Sequence, residues 1–305
     1  FTDVTEKAGI KVEGWSISST WLDDDKDGGV DLFVGRYVKY DPKYRNYYAA
    51  DNYPGPLDYE GETNKLFHNN CDGTFTDVSE KSGIGAAIGR TMGVTAADFD
   101  GDGWPDIYVA NDKTENFLFH NKHDGTFEEI ATEADVAYGQ SGEATSSMGP
   151  VFADITGSGL LDLWVSDGHY NRLMKYNGKG GFEDIGILSG LSQANAQYVR
   201  WGSGVYDFDN DGWLDILVFH GGLIHLIPME HSVFRGLGQG KFEDVSESAG
   251  PVVNARTVAR GACFADYDGD GKVDAYLVNL GAKGTLVHNV SAPLGHWIAL
   301  NLRGA

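Results

Sequence analysis

The run Asp98-Phe-Asp100-Gly-Asp102-Gly103-Trp-Pro-Asp106 puts carboxylates at positions 1, 3, 5 and 9 of one short loop, with glycine at position 6. An apolar, strand-forming stretch, Ile107-Tyr108-Val109, follows at once. The pattern recurs as Asp23, Asp25, Asp27 and Asp31, as Asp207, Asp209, Asp211 and Asp215, and as Asp266, Asp268, Asp270 and Asp274. A worn copy keeps Asp154 and Asp162 but has Thr156 and Ser158 between them. Five copies in one register make the chain a repeat protein before any other reading begins. Closely spaced carboxylates repel one another unless a cation sits among them. Ca²⁺ takes about six to eight oxygens from such loops, and Mg²⁺ prefers to keep its waters. The expectation is therefore Ca²⁺ at four full sites and one degenerate site. A backbone carbonyl from Gly29, Trp104, Trp213 or Lys272 would add to each full set. Asp-Gly pairs also close plain hairpins, but matched copies favour the metal.

The second copy shows the whole unit. Residues 93–98 form an inner strand of small residues, the acidic loop follows, and 106–110 form an apolar strand. Residues 116–121 make a third strand, Asp124-Gly125 a turn, and 126–130 a fourth strand. Alternation broken by glycine turns reads as antiparallel hairpins. Four short strands in a unit of roughly 50 residues are the signature of a propeller blade. The expected fold is thus all-β, a β-propeller of five four-stranded blades over residues 1–290. A Tyr-rich insertion spans 35–63 in the first blade, and a milder expansion spans 221–233 in the fourth. Phe1-Thr-Asp-Val4 matches the fourth-strand sequences Phe75-Thr-Asp-Val78, Phe182-Glu-Asp-Ile185 and Phe242-Glu-Asp-Val245. The last unit lacks that strand, so the N-terminal segment is expected to close the ring and cover the free edge. Residues 291–305 are left over, with a strand at 296–303.

The chain carries 45 Asp and Glu against 23 Lys and Arg, a formal charge of -22. Much of the acid lies in the loops. A net acidic surface argues against nucleic acid and against an anionic membrane as partners. No apolar run approaches the roughly 18 residues of a membrane helix. Cys71 and Cys263 have no metal-type spacing and read as free thiols. Residue 1 already falls in a repeat element, so the numbered chain reads as a mature or trimmed product.

The strand connections on the side away from the acidic loops are the place for a ligand. They carry Arg90, Asp112, His169, Tyr170, Arg200, Trp201 and Arg260. Arginine and aromatics on a rigid scaffold suit recognition of a protein or a glycan. The same residues also suit a structural use, with the arginines paired to neighbours and the tyrosines packed down. His68, His120 and His288 recur at one place in the third strand, which reads as packing rather than catalysis. His169, His220 and His225 are the candidates for a second, transition metal. Asn289-Val-Ser291 is a lone glycosylation sequon.

The acidic loop with its following strand resembles the FG-GAP or VCBS repeat of integrin-like propellers. The runs Phe75-Thr-Asp-Val-Ser-Glu-Lys-Ser-Gly-Ile84, Asn64-Lys-Leu-Phe-His-Asn-Asn70 and His296-Trp-Ile-Ala-Leu-Asn-Leu-Arg-Gly304 resemble the cartilage-acidic-protein group. In that group an ASPIC/UnbV module follows the propeller, and here the module stops after its first strand. The resemblance implies a calcium-binding propeller that is secreted, extracellular or periplasmic, and it names no single reaction. The reading that results is a binding protein for an extracellular protein or glycan. The alternative is a metal-dependent enzyme, a polysaccharide lyase or oxidoreductase, with His169, His220 and Arg200 at the channel mouth.

Overall fold

The computed structural model describes residues 1–44, 54–168, 170–191, 198–223, 226–292 and 295–298. Its strands begin with β1 (Ser16–Leu22), β2 (Asp31–Arg36), β3 (Glu62–Thr63), β4 (Lys65–Asn69), β5 (Phe75–Asp77) and β6 (Ile88–Gly89). Next come β7 (Thr91–Ala97), β8 (Asp106–Asn111), β9 (Phe117–Asn121), β10 (Phe127–Glu129), β11 (Ser147–Ala153), β12 (Asp162–Asp167), β13 (Arg172–Tyr176) and β14 (Phe182–Asp184). The series ends with β15 (Arg200–Tyr206), β16 (Asp215–His220), β17 (Ser232–Gly236), β18 (Phe242–Asp244), β19 (Ala259–Ala265), β20 (Asp274–Asn279) and β21 (Thr285–Val287).

Consecutive strands pair into the sheets β1-β2-β4-β5, β7-β8-β9-β10, β11-β12-β13-β14, β15-β16-β17-β18 and β19-β20-β21. A small ladder, β3 with β6, stands apart from them. These are the five antiparallel meanders of a β-propeller that the repeat predicts. One expectation, closure by the N-terminal strand, is not confirmed. The last sheet has three strands among the described residues, and Phe1–Val4 lie outside every sheet. The Val4 carbonyl is taken by a local turn, accepting the Ala8 N–H at 2.7 Å, and Phe1 is fully exposed. Local turn bonds compete directly with a strand pairing that needs the far end of the chain. Of the segment expected as a strand outside the ring, 296–298 carry none and 299–303 lie outside the described residues.

The chain divides into two compact units. In the first, the second strand of a blade explains its own apolar run. Every residue of β8 is buried. Ile107 and Val109 face a cluster with Phe33, Leu66, Phe117 and Phe119, while Tyr108 and Ala110 face one with Leu163, Val165 and Met174. A strand covered on both faces loses the polar half of its alternation. Each such buried side chain contributes about 1.5–3 kcal/mol. Glycine in the inner strands has a different cause. A Cβ on Gly93 would run into the Met148 carbonyl, so these strands approach too closely for a side chain there. In the second unit Gly202 stands in the same relation to Ala262. There Leu217, Phe219, Ala275 and Leu277 form the core, with Phe208 and Phe264 against it.

Candidate functional site

The five acidic loops fold alike. Each joins the first two strands of a sheet. Residue 4 and residue 6 of the loop both have left-handed backbone, as at Gly101 (φ 79°) and Gly103 (φ 92°). Loops one and four place Lys26 (φ 60°) and Asn210 (φ 56°) at position 4, which costs Lys26 some strain. The carboxylate at position 1 accepts the N–H of glycine 6, with Gly103 to Asp98 at 2.8 Å, Gly212 to Asp207 at 2.9 Å and Gly271 to Asp266 at 2.9 Å. The worn loop keeps this bond, from Gly159 to Asp154 at 2.8 Å. Position 5 accepts the N–H of position 7, as from Trp104 to Asp102 at 2.8 Å and from Trp213 to Asp211 at 2.9 Å.

Position 9 is the hub. Asp31, Asp106, Asp162, Asp215 and Asp274 are all buried. One oxygen of Asp215 accepts the Phe208 N–H at 2.9 Å, and the other accepts the Gly236 N–H on the third strand at 2.8 Å. Asp31 does the same with the N–H groups of Asp24 at 3.0 Å and Asn69 at 2.8 Å. Burial raises the Asp106 carboxyl to about 6 and the Asp215 carboxyl to about 7. A cation among these oxygens would reverse that, so the sites call for positive charge. Ligand atoms of Asp23, Asp25 and Asp31 lie within 4.8 Å of one another, and so do those of Asp98, Asp100 and Asp106. Asp23 also holds one buried oxygen without a hydrogen-bond partner. An all-oxygen, multiply anionic set with such an oxygen fits a hard divalent cation.

Two features at the loops escaped sequence reasoning. His68, His120 and His288 do not serve as apolar packing. His120 Nδ1 donates to Asp106 at 3.0 Å and lies 3.8 Å from Asp100. His68 and His288 make the matching contacts to Asp31 and Asp274, both at 3.2 Å. Each next residue is an asparagine with a second task. Asn121 Nδ2 donates to the Asp24 carbonyl of the preceding repeat at 2.8 Å, and Asn289 Nδ2 donates to the Phe208 carbonyl at 2.8 Å. That engagement also makes Asn289 a structural residue rather than a free glycosylation acceptor. The signal was the recurring His-Asn pair at the end of strand three. A further acid, Asp24, is buried beside Asp31, and burial raises it to about 8.

In the first unit, Arg90 and Asp112 converge on the insertion and hold it. Arg90 donates from Nε to the Pro56 carbonyl and from Nη2 to the Tyr59 carbonyl, each at 2.8 Å. Tyr37 donates its hydroxyl to Asp112 at 2.8 Å, and burial with that carboxylate keeps the phenol protonated. In the second unit, the Arg260 guanidinium stacks 4.1 Å from the Trp201 ring centroid. Trp201 Nε1 donates to the Gly221 carbonyl at 2.8 Å and Arg260 Nη2 to that of Gly222 at 2.9 Å, so the pair braces this expansion. Arg200 is fully buried and donates to the Tyr198 carbonyl at 3.0 Å. His220 is buried as well, with Nδ1 donating to the Glu230 carbonyl at 2.7 Å. Its backbone N–H donates to His231 Nδ1 at 3.2 Å, which fixes His231 as the neutral Nε2–H form. Both the Arg200 and His220 side chains are thus engaged within the fold. Tyr170 is half-buried, and His169 and His225 lie outside the described residues. Cys71 and Cys263 are free and exposed.

A family model for FG-GAP-like repeats matches residues 47–109, 98–165 and 154–218. Human cartilage acidic protein 1 is 27% identical over 207 residues, which is 66% of this chain and 30% of that protein. The mouse protein of that name is 26% identical over 273 residues, 82% of this chain and 39% of that one. The chain therefore spans well under half the length of the curated relatives it matches. Among solved structures, an Agrocybe aegerita lectin with specific recognition of non-reducing terminal N-acetylglucosamine aligns with a TM-score of 0.53. It is 17% identical, with 95% of this chain and 67% of that one covered, and shows the likeness of fold alone.

Proposed function

Because the chain belongs to the FG-GAP-like repeat family and folds as a β-propeller of such repeats, we propose that it is a secreted, calcium-stabilised binding protein. Its partner is an extracellular protein or glycan, engaged through the strand connections away from the acidic loops. The observation that carries the reading is the acidic loop itself, built alike five times, with buried carboxylates that need a positive charge. The residues that would hold the ion are Asp23, Asp25, Asp27 and Asp31, Asp98, Asp100, Asp102 and Asp106, Asp207, Asp209, Asp211 and Asp215, and Asp266, Asp268, Asp270 and Asp274. Asp154, Thr156, Ser158 and Asp162 form the weak fifth set.

Bound Ca²⁺ supplies charge neutralisation, not reaction chemistry. The chain's own residues do the rest. The glycine-6 N–H groups aim the position-1 carboxylates, the imidazoles orient position 9, and Arg90 and the Trp201–Arg260 stack set the shape of the opposite connections. The cartilage acidic proteins support an extracellular setting, and a lectin of similar fold supports a saccharide as one class of ligand. No helix among the described residues is long and apolar enough to cross a membrane. The test is a two-part titration. Calorimetry of chelated protein with CaCl₂ should give near four strong sites. A glycan and protein-partner screen should then give binding in calcium that EDTA abolishes. No heat on calcium addition overturns the metal assignment, and no partner in either class overturns the binding role.

A further inference from the structure

Five aromatic rings run in succession over the first blade, at the end of its sheet opposite the acidic loop. Tyr37 meets Trp15 at 5.4 Å between centroids, Trp15 meets Tyr40 at 5.7 Å, Tyr40 meets Tyr59 at 5.7 Å, and Tyr59 meets Tyr44 at 5.4 Å. The two outer rings are tied by their hydroxyls, Tyr37 to Asp112 at 2.8 Å and Tyr44 to Asp58 at 3.0 Å. The middle of the row is open. Trp15 is 45% exposed and Tyr40 is 58% exposed. With Gly14 and Ser16 they line a depression of about 530 Å³.

The backbone under these rings is held on several sides. Arg36 donates to the Glu13 carbonyl at 2.6 Å and pairs with buried Glu62. A Cβ on Gly14 would stand 2.8 Å from both that guanidinium and that carboxylate, so the ion pair lies directly beneath the depression. The Tyr37 N–H donates to the Trp15 carbonyl at 2.9 Å, and Val38 bridges to Gly61. Aromatic side chains have few rotors, so a row fixed in this way is ordered before a ligand arrives.

We propose that the Trp15–Tyr40 depression is a stacking subsite for a neutral oligosaccharide. The inference rests on the binding-protein reading above and names one ligand class and one place for it. A pyranose has an apolar C–H face and a hydroxyl edge. The half-exposed rings match the face. The surrounding acceptors match the edge, since Glu13, Asp41 and Glu60 are exposed around the same segment. Glu60 pairs with Lys39 at 2.7 Å and Glu13 with Lys11 at 3.1 Å, so the rim itself is close to neutral, and the chain's overall charge of -22 disfavours uronates and sulfated sugars. A lipid or a hydrophobic protein surface would take these exposed ion pairs out of water, which is unfavourable.

The experiment uses the whole chain with calcium in excess. Saturation-transfer NMR and calorimetry are run with chitotetraose, cellotetraose and, as the anionic control, a hyaluronan tetrasaccharide. A neutral tetrasaccharide should bind, with transfer strongest to its axial C–H face. Trp15→Ala and Tyr40→Ala should each weaken it about tenfold or more, and Trp15→Phe should retain most of the affinity. Both side chains are exposed enough that the melting temperature serves as the folding control for each variant. Binding that survives both alanine variants overturns this subsite and leaves the binding role standing. So does capture of a protein partner with none of the sugars bound. Preference for the hyaluronan tetrasaccharide overturns the neutral assignment.

Discussion

His120 Nδ1 stands 3.0 Å from Asp106 Oδ1, and the same pair recurs as His288 with Asp274 at 3.2 Å. The acid is fully buried and the imidazole is open to water, so the contact connects the inner wall of an acidic loop to the surface. His120→Ala leaves that carboxylate with its backbone donors alone. The expected outcome is a smaller calcium-dependent gain in melting temperature, with the calcium-free stability lowered by about 1 kcal/mol or less.

The loops themselves are ranked. A ligand that binds only the native state stabilises it by RT ln(1+[L]/Kd), about 2.7 kcal/mol at a hundredfold excess over Kd. Asp106→Ala and Asp162→Ala both remove a buried carboxylate that accepts strand-three N–H groups. Thermal melts in EDTA should therefore fall for both. Only the Asp106 variant should lose a large part of the further gain on adding calcium. Equal losses would contradict the ranking of the third loop as incomplete.

Acid should destabilise the second unit through its histidines. Burial lowers His220 to about 3 and His231 to about 4, against about 6.5 in the unfolded chain. Between those values the unfolded chain takes up protons that the native one refuses, so stability rises with pH across the window. It is complete above about pH 6.5 and lost as pH falls toward the native values. At pH 5 each histidine costs about 2 kcal/mol. Melts in chelator at pH 7.5 and pH 5, compared for wild type and His231→Asn, read this directly. The variant should show the shallower pH slope whatever its stability at pH 7.5.

Gly93→Ala drives a methyl group into the Met148 carbonyl. Backbone is a poor thing to move, so the change should cost at least about 2–3 kcal/mol in urea unfolding. Gly101→Ala, at a left-handed turn with open space around it, should cost about 1 kcal/mol.

Arg90→Ala removes both carbonyl contacts that hold the Tyr-rich insertion. Global stability should fall by about 1–3 kcal/mol. Limited proteolysis should then cut within 35–63 well before any other segment.

The acidic loops and the strand order were legible because their spacing is local. Position 6 must be glycine-like, position 9 must start an apolar strand, and both facts are written within nine residues of one another. The fully buried β8 could be read from Ile107-Tyr108-Val109 in the same way. What depends on distant chain was not legible. Nothing in Arg90 marks two carbonyls more than thirty residues away as its partners. His220 and Arg200, read with His169 as an alternative catalytic set, are buried, and nothing local in the sequence marks the Glu230 and Tyr198 carbonyls as their partners. Phe1–Val4 has the sequence of an outer strand, yet sequence likeness does not decide a pairing against the local turn that takes Val4.

The bond from Asn121 to the Asp24 carbonyl has its counterpart in that from Asn289 to the Phe208 carbonyl. In each case the amide stands at the end of one repeat's third strand and the accepting carbonyl in the first loop of the repeat before it. Donor and acceptor travel together in one stretch of gene. A duplication of that stretch delivers both halves of the joint at once, so an added copy arrives already able to fasten to its neighbour. Where the third strand ends instead in Tyr176 or Gly236, the joint has been dropped. Such an array grows by copying and diverges afterwards, one fastening at a time.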